Sequence, residues 1–277
     1  MLDRTEAGVA MESEADSGVV GPVQSLTRGL MVIRAFDETR PEMTLSEVAR
    51  VTGLSRAATR RFLHTLVRLG YVWTDGRLFA LTPRVLELGF SYLSSLSLPE
   101  IAQPHLERLA AQVHESVSVS VLDGDDIVYV GRVPTSRIMT VAINIGTRFP
   151  AYATSMGRVL LANLGEQELT DYLRRVRPEP LAPQTLTSVG PLRRELERIR
   201  TQGWAVVDQE LEAGLRSLAA PIRDRTDSVV AAVNVSSHAS RTSAEDARNE
   251  LLPPLLETAA KIEADLRVAP QAGRTAR

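Results

Sequence analysis

A row of arginines is the most chemically suggestive feature of this 277-residue chain. Arg56, Arg60, Arg61 and Arg68, with His64, fall on one face of a segment that Ser55 opens. The opposite stripe is Thr59, Phe62, Leu63, Leu66 and Leu69. Guanidinium groups presented along one helix suit phosphates and guanine edges, where a bidentate contact is worth roughly 1–3 kcal/mol of discrimination. The first residues of such a helix enter a major groove about 12 Å wide, which nominates Ser55, Arg56, Ala57, Arg60 and Arg61. Ser55 and Thr59 suit phosphate or base-edge contacts, His64 lies further along the same face, and Arg77 suits the backbone or minor groove. Thr44 and Ser46, at the start of the preceding helix, complete the DNA-facing set. The competing explanation is an ordinary three-helix corner with a solvated arginine face.

The remaining constellations carry less. Asp123, Asp125 and Asp126 resemble a cation cluster, but aspartates around Gly124 are commonly a hairpin turn. His105 and His114 are nine residues apart and do not share a helical face, and His238 stands alone after a strand. Ser155 lacks the first glycine of a nucleophile elbow, and there is no Gly-rich phosphate loop. No metal site, no cofactor and no catalytic residue is expected.

The elements that must position the arginines are legible around them. Leu26, Leu30, Ile33 and Phe36 recur at helical spacing over 25–36, with Ser25 as N-cap. Thr44 and Glu47 form a capping-box pattern for a second helix that stops at Gly53. Ser55 caps the third, closed by Gly70. Strands at 71–73 and 78–81 flank Thr74-Asp75-Gly76-Arg77, where Asp-Gly supplies the turn. Helix, helix, tight turn, helix and hairpin make a winged helix-turn-helix over 22–82, with Ala49 small against its partner helix and Gly53 at the turn.

An acidic stretch over 1–21 and the final residues, 269–277, read as disordered tails. Thr82-Pro83 opens a linker helix over 83–98. A second domain over 99–268 alternates helices and strands. Its expected strands are 117–122, 127–133, 138–145, 204–208, 217–222 and 229–236, and its helices 99–113, 156–163, 166–175, one from Pro191 to Gly203, and 244–266. The fold class is α+β, with a six-stranded, mainly antiparallel curved sheet flanked by helices.

Charge follows this division. The net charge of −2 conceals −4 over 1–21, +4 over 22–98 and −2 over 99–277. Between Glu47 and Asp75 there are five arginines and no acid, the electrostatic signature of a nucleic-acid-binding module. The absence of cysteine excludes disulfides, thiolate metal sites and cysteine nucleophiles. No apolar run reaches the ~18–20 residues of a membrane span, and the N-terminus lacks a signal peptide. A cytoplasmic protein without a membrane partner is expected.

Three segments resemble the isocitrate lyase regulator (IclR) family of bacterial transcription factors. They are Gly21-Pro22-Val23-Gln24-Ser25-Leu26-Thr27-Arg28-Gly29-Leu30, Thr44-Leu45-Ser46-Glu47-Val48-Ala49 and Gly53-Leu54-Ser55-Arg56-Ala57-Ala58-Thr59-Arg60-Arg61. The likeness continues through Tyr152-Ala153-Thr154-Ser155-Met156-Gly157-Arg158-Val159-Leu160-Leu161-Ala162 and Leu218-Ala219-Ala220-Pro221-Ile222, and spans roughly 22–267. Arg132-Val133-Pro134, Arg137-Ile138-Met139 and Gly146-Thr147-Arg148-Phe149-Pro150 look like the branch that controls aromatic-acid breakdown through protocatechuate and β-ketoadipate. The resemblance implies a homodimer or tetramer on operator DNA, switched by a small organic acid. The implied pocket lies between the inner face of the sheet and the loop before the helix at Met156. Carried over by position, Ile138, Val141, Ser155, Met156, Leu215, Ser217, Asn234 and Ser236 line it. The carboxylate of the glyoxylate and pyruvate sensors falls at Val207; Asp208 beside it, although one residue along a strand reverses the face, is kept in the effector-binding set.

A buried carboxylate needs donors or a cation, or its desolvation costs several kcal/mol. Thr154, Ser155, Ser217, Asn234 and Ser236 offer neutral donors. Arg132, Arg137 and Arg148 could pair with a second carboxylate, as in β-ketoadipate, and Arg148 is preferred because its loop could roof the cavity. The rival from another class is an enzyme acting on a small organic acid, tethered to nucleic acid by the basic module. Against it stands the lack of any paired acid and base.

Overall fold

The structure is a computed structural model that describes residues 23–88, 97–135 and 143–268. The chain divides into two compact units, Met1–Gly89 and Phe90–Arg277.

In the first unit α1 (Gln24–Arg34) follows Val23, not Ser25, and has no side-chain cap. Val32 is buried within it and Ala35 and Phe36 just after it, with Ile33 half-buried, whereas Leu26 and Leu30 are 64% and 47% exposed. The expected periodicity is present, but the other elements of this unit do not cover the first two turns. Next come β1 (Glu42–Thr44), α2 (Leu45–Thr52) and α3 (Arg56–Arg68). Thr44 and Glu47 complete the capping box, with Thr44 N–H donating to Glu47 Oε2 at 2.7 Å. These bonds hold the Glu47 carboxyl below the usual carboxylate range. Gly53 ends α2 at φ +67°, a backbone that a side chain strains.

β2 (Val72–Thr74) and β3 (Leu78–Leu81) form the expected hairpin, and β1 joins it in the order β1-β3-β2, all antiparallel. Three residues are too few for alternation to announce β1. In the turn, Asp75 Oδ1 accepts from Leu78 N–H at 2.7 Å and Arg77 N–H at 2.8 Å. A single helical turn at Pro83–Val85 follows, capped by Thr82. Most of the expected linker helix, residues 89–96, lies outside the described residues.

The second unit opens with α4 (Ser97–Val113). β4 (Ser116–Asp123) and β5 (Asp126–Val133) form a hairpin, followed by β6 (Arg148–Pro150). α5 (Ser155–Ala162), α6 (Glu166–Arg175) and α7 (Val189–Gln202) precede β7 (Ala205–Asp208), β8 (Leu215–Arg223) and β9 (Val229–His238). One antiparallel sheet runs β6-β5-β4-β9-β8-β7. The expected strand over 138–145 is replaced: 143–147 are not strand, 136–142 lie outside the described residues, and Arg148–Pro150 supplies the sixth. The closing helix α8 (Leu252–Val268) is preceded by a widened turn, Ala247–Leu251. Pro253 and Pro254, which have no N–H to donate, begin just after that turn.

Each face of this sheet carries its own core. On the outer face, Val117, Val119, Leu218, Ala220, Val233 and Val235 pack against α4 and α8. On the inner face, Ile127, Tyr129, Ala219 and Ala232 pack with Met156, Val159, Tyr172, Leu196 and Ile199 from α5, α6 and α7.

α5 is buried along its whole length. It is seated by Thr154, whose Oγ1 accepts from Gly157 N–H at 3.1 Å. A β-carbon at Gly157 would lie 2.2 Å from Ala151 O and 2.5 Å from Thr154 Oγ1, so only glycine lets this turn close. Gly157→Ala is therefore expected to lower stability by about 1–3 kcal/mol or more. Thermal denaturation reads this, and an unchanged melting temperature would contradict the close approach.

Candidate functional site

The two units present two surfaces of interest. On the first, α3 begins at Ser55, whose Oγ accepts from Ala58 N–H at 3.2 Å. Arg56, Ala57, Arg60, Arg61 and His64 are exposed along it, as are Ser46 on α2 and Arg77 in the hairpin turn. Among the described residues Arg56, Arg60 and Arg61 form no ion pair. Their charge is thus available to an external anion. Thr44 is half-buried, and its hydroxyl donates to Glu47 Oε2 at 2.8 Å.

Thr59, expected to contact DNA, does not belong to this surface. It is fully buried, and its hydroxyl donates to Ser55 O at 3.0 Å within its own helix. Its position on the apolar stripe outweighs its polarity, so it packs in the core and does not face a ligand.

The second surface lies on the inner face of the six-stranded sheet, where α5 begins. The hydroxyls of Ser155 and Ser217 are hydrogen-bonded at 2.8 Å, and those of Ser217 and Ser236 at 3.0 Å. Asn234 Nδ2 donates to both Ser217 Oγ and Ser236 Oγ at 2.9 Å. Four of the expected effector residues thus meet in one cluster, brought from α5, β8 and β9. Asn234 is 3% exposed, yet its Oδ1 has no protein partner. A buried acceptor left open costs free energy unless something donates to it.

Around the cluster, Met156 and Leu215 are buried and apolar, Met156 within the inner core. Thr154 is buried too, but its Oγ1 is committed to capping α5. Arg137, Ile138 and Val141 lie outside the described residues.

Two expected residues are elsewhere. Arg148 forms ion pairs with Asp123 at 2.5 Å and Asp126 at 3.2 Å at the rim of the β4–β5 hairpin, and its side chain is 43% exposed. These carboxylates already neutralise it, because the aspartate-rich turn folds back onto β6. Asp208 pairs through Oδ2 with Arg216 at 2.8 Å. Val207 opposes Ser217 in the ladder and Asp208 opposes Arg216, so Asp208 faces away from the cluster.

Some inner-face residues were not nominated from the sequence. Ser118 and Ser120 are 1% and 0% exposed, and Ser120 Oγ has no partner. Ser118 opposes Asn234 in the ladder, which puts it on the face of the cluster. The signal was available in Ser116-Val117-Ser118-Val119-Ser120, a strict alternation that sends small hydroxyls to one face and valines to the other. Arg132 opposes Ser118 on the other side, and its Nη1 donates to Ser118 Oγ at 3.2 Å. Burial pushes the Arg132 guanidinium below its usual pKa, with nearby Tyr129 acting in the opposite sense. Burial also pushes the Tyr129 phenol up to about 12. Among the described residues no group of three or more His, Asp or Glu is arranged to hold a metal ion.

One buried ion pair holds this site together. Arg158 on α5, 1% exposed, meets Glu210 through Nη1–Oε1 at 2.7 Å and Nη2–Oε2 at 2.5 Å, and donates from Nε to Tyr152 O at 2.7 Å. Glu210 Oε2 also accepts from Leu186 N–H at 3.0 Å. The pair thereby ties α5 to the loop after β7 and to the segment before α7.

The architecture is a winged helix-turn-helix unit together with a mixed unit that buries a polar cluster under a capped helix. Residues 25–76 match the IclR helix-turn-helix domain and residues 90–264 the C-terminal domain of bacterial IclR transcriptional regulators. The chain belongs to the IclR family, DNA-binding transcriptional regulators with an effector-binding domain. The reading as an enzyme falls with that membership.

The chain is 44% identical over 251 residues to the Pca regulon regulatory protein of Pseudomonas putida, covering 90% of this chain and 86% of that one. A crystal structure from Rhodococcus sp. RHA1 matches with TM-score 0.80 and 61% identity, over 88% of this chain and 98% of the other. An IclR homologue of Microbacterium hydrocarbonoxydans, solved in complex with 4-hydroxybenzoate, matches with TM-score 0.79 and 26% identity, over 88% and 100%. Among the described residues no helix is long and apolar enough to cross a membrane.

Glu210→Ala would strand the Arg158 guanidinium in the core. The expected loss is about 3–5 kcal/mol of stability, measured by urea denaturation. A loss below about 1 kcal/mol would show that the pair does not hold α5 in place.

Proposed function

We propose that this regulator acts in the cytoplasm as a homodimer or tetramer and controls genes of aromatic-acid breakdown. Its effector is a small carboxylate of that chemistry, such as protocatechuate, 4-hydroxybenzoate or β-ketoadipate. The observation that carries this reading is the buried cluster of Ser155, Ser217, Ser236 and Asn234, a set of neutral hydrogen-bonding groups with one amide oxygen unpaired. A hydroxylated acid such as protocatechuate or 4-hydroxybenzoate offers both a donor for that oxygen and acceptors for the surrounding groups, whereas β-ketoadipate offers acceptors alone. The likeness to the Pca regulon regulatory protein, and to a homologue that holds 4-hydroxybenzoate, supports the choice of acid.

DNA is read by the N-terminal end of α3. Arg56, Ala57, Arg60 and Arg61 face the major groove, with Ser55, His64, Thr44, Ser46 and Arg77 toward the backbone and flanks. The linker over 83–98 carries the effector's influence to this helix. An effector can shift operator affinity only through its different affinity for the DNA-binding and non-binding states.

Two measurements test the proposal. Arg56→Ala and Arg61→Ala should each weaken binding to an operator selected from a random duplex pool, by about 1–3 kcal/mol for a base contact. For a phosphate contact the salt slope should flatten by about one unit instead. Gel shifts unchanged in both variants would reject α3 as the reading helix. In a thermal-shift screen, the true effector at about 100 times its dissociation constant should stabilise the protein by roughly 2.7 kcal/mol. Silence from all three acids would reject the proposed effector class.

A further inference from the structure

Strand alternation and the observed pairing disagree about one arginine on β5. Ile127 and Tyr129 belong to the inner core and Val130 to the outer. Continued alternation would send Gly131 inward and Arg132 outward. The ladder slips instead: Ser120 opposes Tyr129, Val119 opposes Gly131, and Val130 is left as an extra residue. A bulge of this kind re-aims every side chain beyond it. Gly131 consequently faces outward, where a β-carbon would lie 3.3 Å from Leu106 of α4. Arg132 is turned onto the inner face, opposite Ser118 and in line with Asn234.

The result is a polar strip across three neighbouring strands, Arg132 on β5, Ser118 on β4 and Asn234 on β9. Beyond Asn234 it continues to Ser217 and Ser155. Arg132 is half-buried and forms no ion pair among the described residues, its hydrogen bond being to the neutral Ser118 hydroxyl. The other buried arginines of this unit, Arg158 and Arg216, each hold a carboxylate. The strip therefore carries an uncompensated cation at one end and, two strands along it, an unpaired amide oxygen, Asn234 Oδ1, with about 10 Å between the two backbones. A half-buried guanidinium facing a polar strip is a docking point for an anion, with the planar fork that suits a carboxylate.

We propose that Arg132 is the carboxylate-binding residue of the effector site, holding the acid group of the ligand at Ser118 while the rest of the molecule extends along the strip toward Asn234 and Ser217. This deepens the function proposed above and rests on it. Arg148, saturated by Asp123 and Asp126, has no part in it. The Val130 bulge is the device that makes Arg132 available, and the ligand class it selects is a small acid with a hydroxyl or carbonyl remote from its carboxylate.

The test uses the full-length protein and isothermal calorimetry with protocatechuate, 4-hydroxybenzoate, β-ketoadipate and the uncharged 4-hydroxybenzamide. Wild type should bind at least one acid and prefer 4-hydroxybenzoate to its amide. Arg132→Gln should weaken the bound acid by about 10- to 100-fold and erase the acid-over-amide preference. Arg132→Lys, which keeps the charge and guards against a misfolded glutamine variant, should retain that preference. An acid that binds wild type and Arg132→Gln alike, or a preference unchanged by the glutamine, would overturn the assignment of Arg132 while leaving an acid effector standing. If wild type binds none of the acids, the effector reading itself fails and this assignment fails with it.

Discussion

Burial obliges polar groups to find partners, and on the inner face of the six-stranded sheet that obligation is only partly met. Asn234, Ser217, Ser236 and Ser155 satisfy one another, yet Asn234 Oδ1 and Ser120 Oγ do not. An apolar core of the same shape would have been cheaper to fold. The second unit tolerates this strip because its framework is over-determined elsewhere. α5 is capped by Thr154, closed at Gly157 and fixed by the Arg158–Glu210 pair, and two separate apolar cores clamp the sheet from its opposite faces. A rigid frame around an incompletely satisfied polar strip is the arrangement expected of a ligand site that is largely formed before the ligand arrives.

The DNA-facing unit follows a different economy. Its core is small, built from Val32, Phe36, Met43, Val48, Leu63, Leu66 and Phe79. Much of its order comes from local chemistry: the Thr44–Glu47 box, Ser55 at the start of α3, Gly53 in the left-handed turn and the Asp75 carboxylate that organises the hairpin. Such local devices present the arginine face of α3 with little dependence on distant parts of the chain.

That difference explains how much could be read from the amino-acid sequence. Caps, glycine turns and the Asp-Gly hairpin act over three or four residues, so α2, α3 and the β2–β3 hairpin were legible almost to the residue, whereas the start of α1 and the short strand β1 were not. The serine and asparagine cluster was reached through family resemblance, and the hydrogen bonds among those residues come from strands far apart in sequence. What stayed hidden depended on tertiary placement. Leu26 and Leu30 have helical spacing but lack cover within their own unit, and Thr59 sits on an apolar stripe that buries its hydroxyl. Arg148 was attractive on its loop until Asp123 and Asp126 folded against it. Arg132 is one of three arginines that the sequence leaves open to a carboxylate, and its face is hidden there because one bulged residue, Val130, reverses the parity that alternation implies.

If a small acid on the inner-face strip controls this regulator, its binding and that of duplex DNA on α3 are thermodynamically coupled. Coupling is reciprocal, so it can be measured from either end. The most direct measurement is the operator affinity of the full-length protein by fluorescence anisotropy, with and without saturating effector, paired with effector affinity in the presence and absence of operator. Equal and same-signed shifts of about fivefold or more in both affinities are expected. An effector that demonstrably binds while leaving the operator isotherm unmoved would contradict the claim.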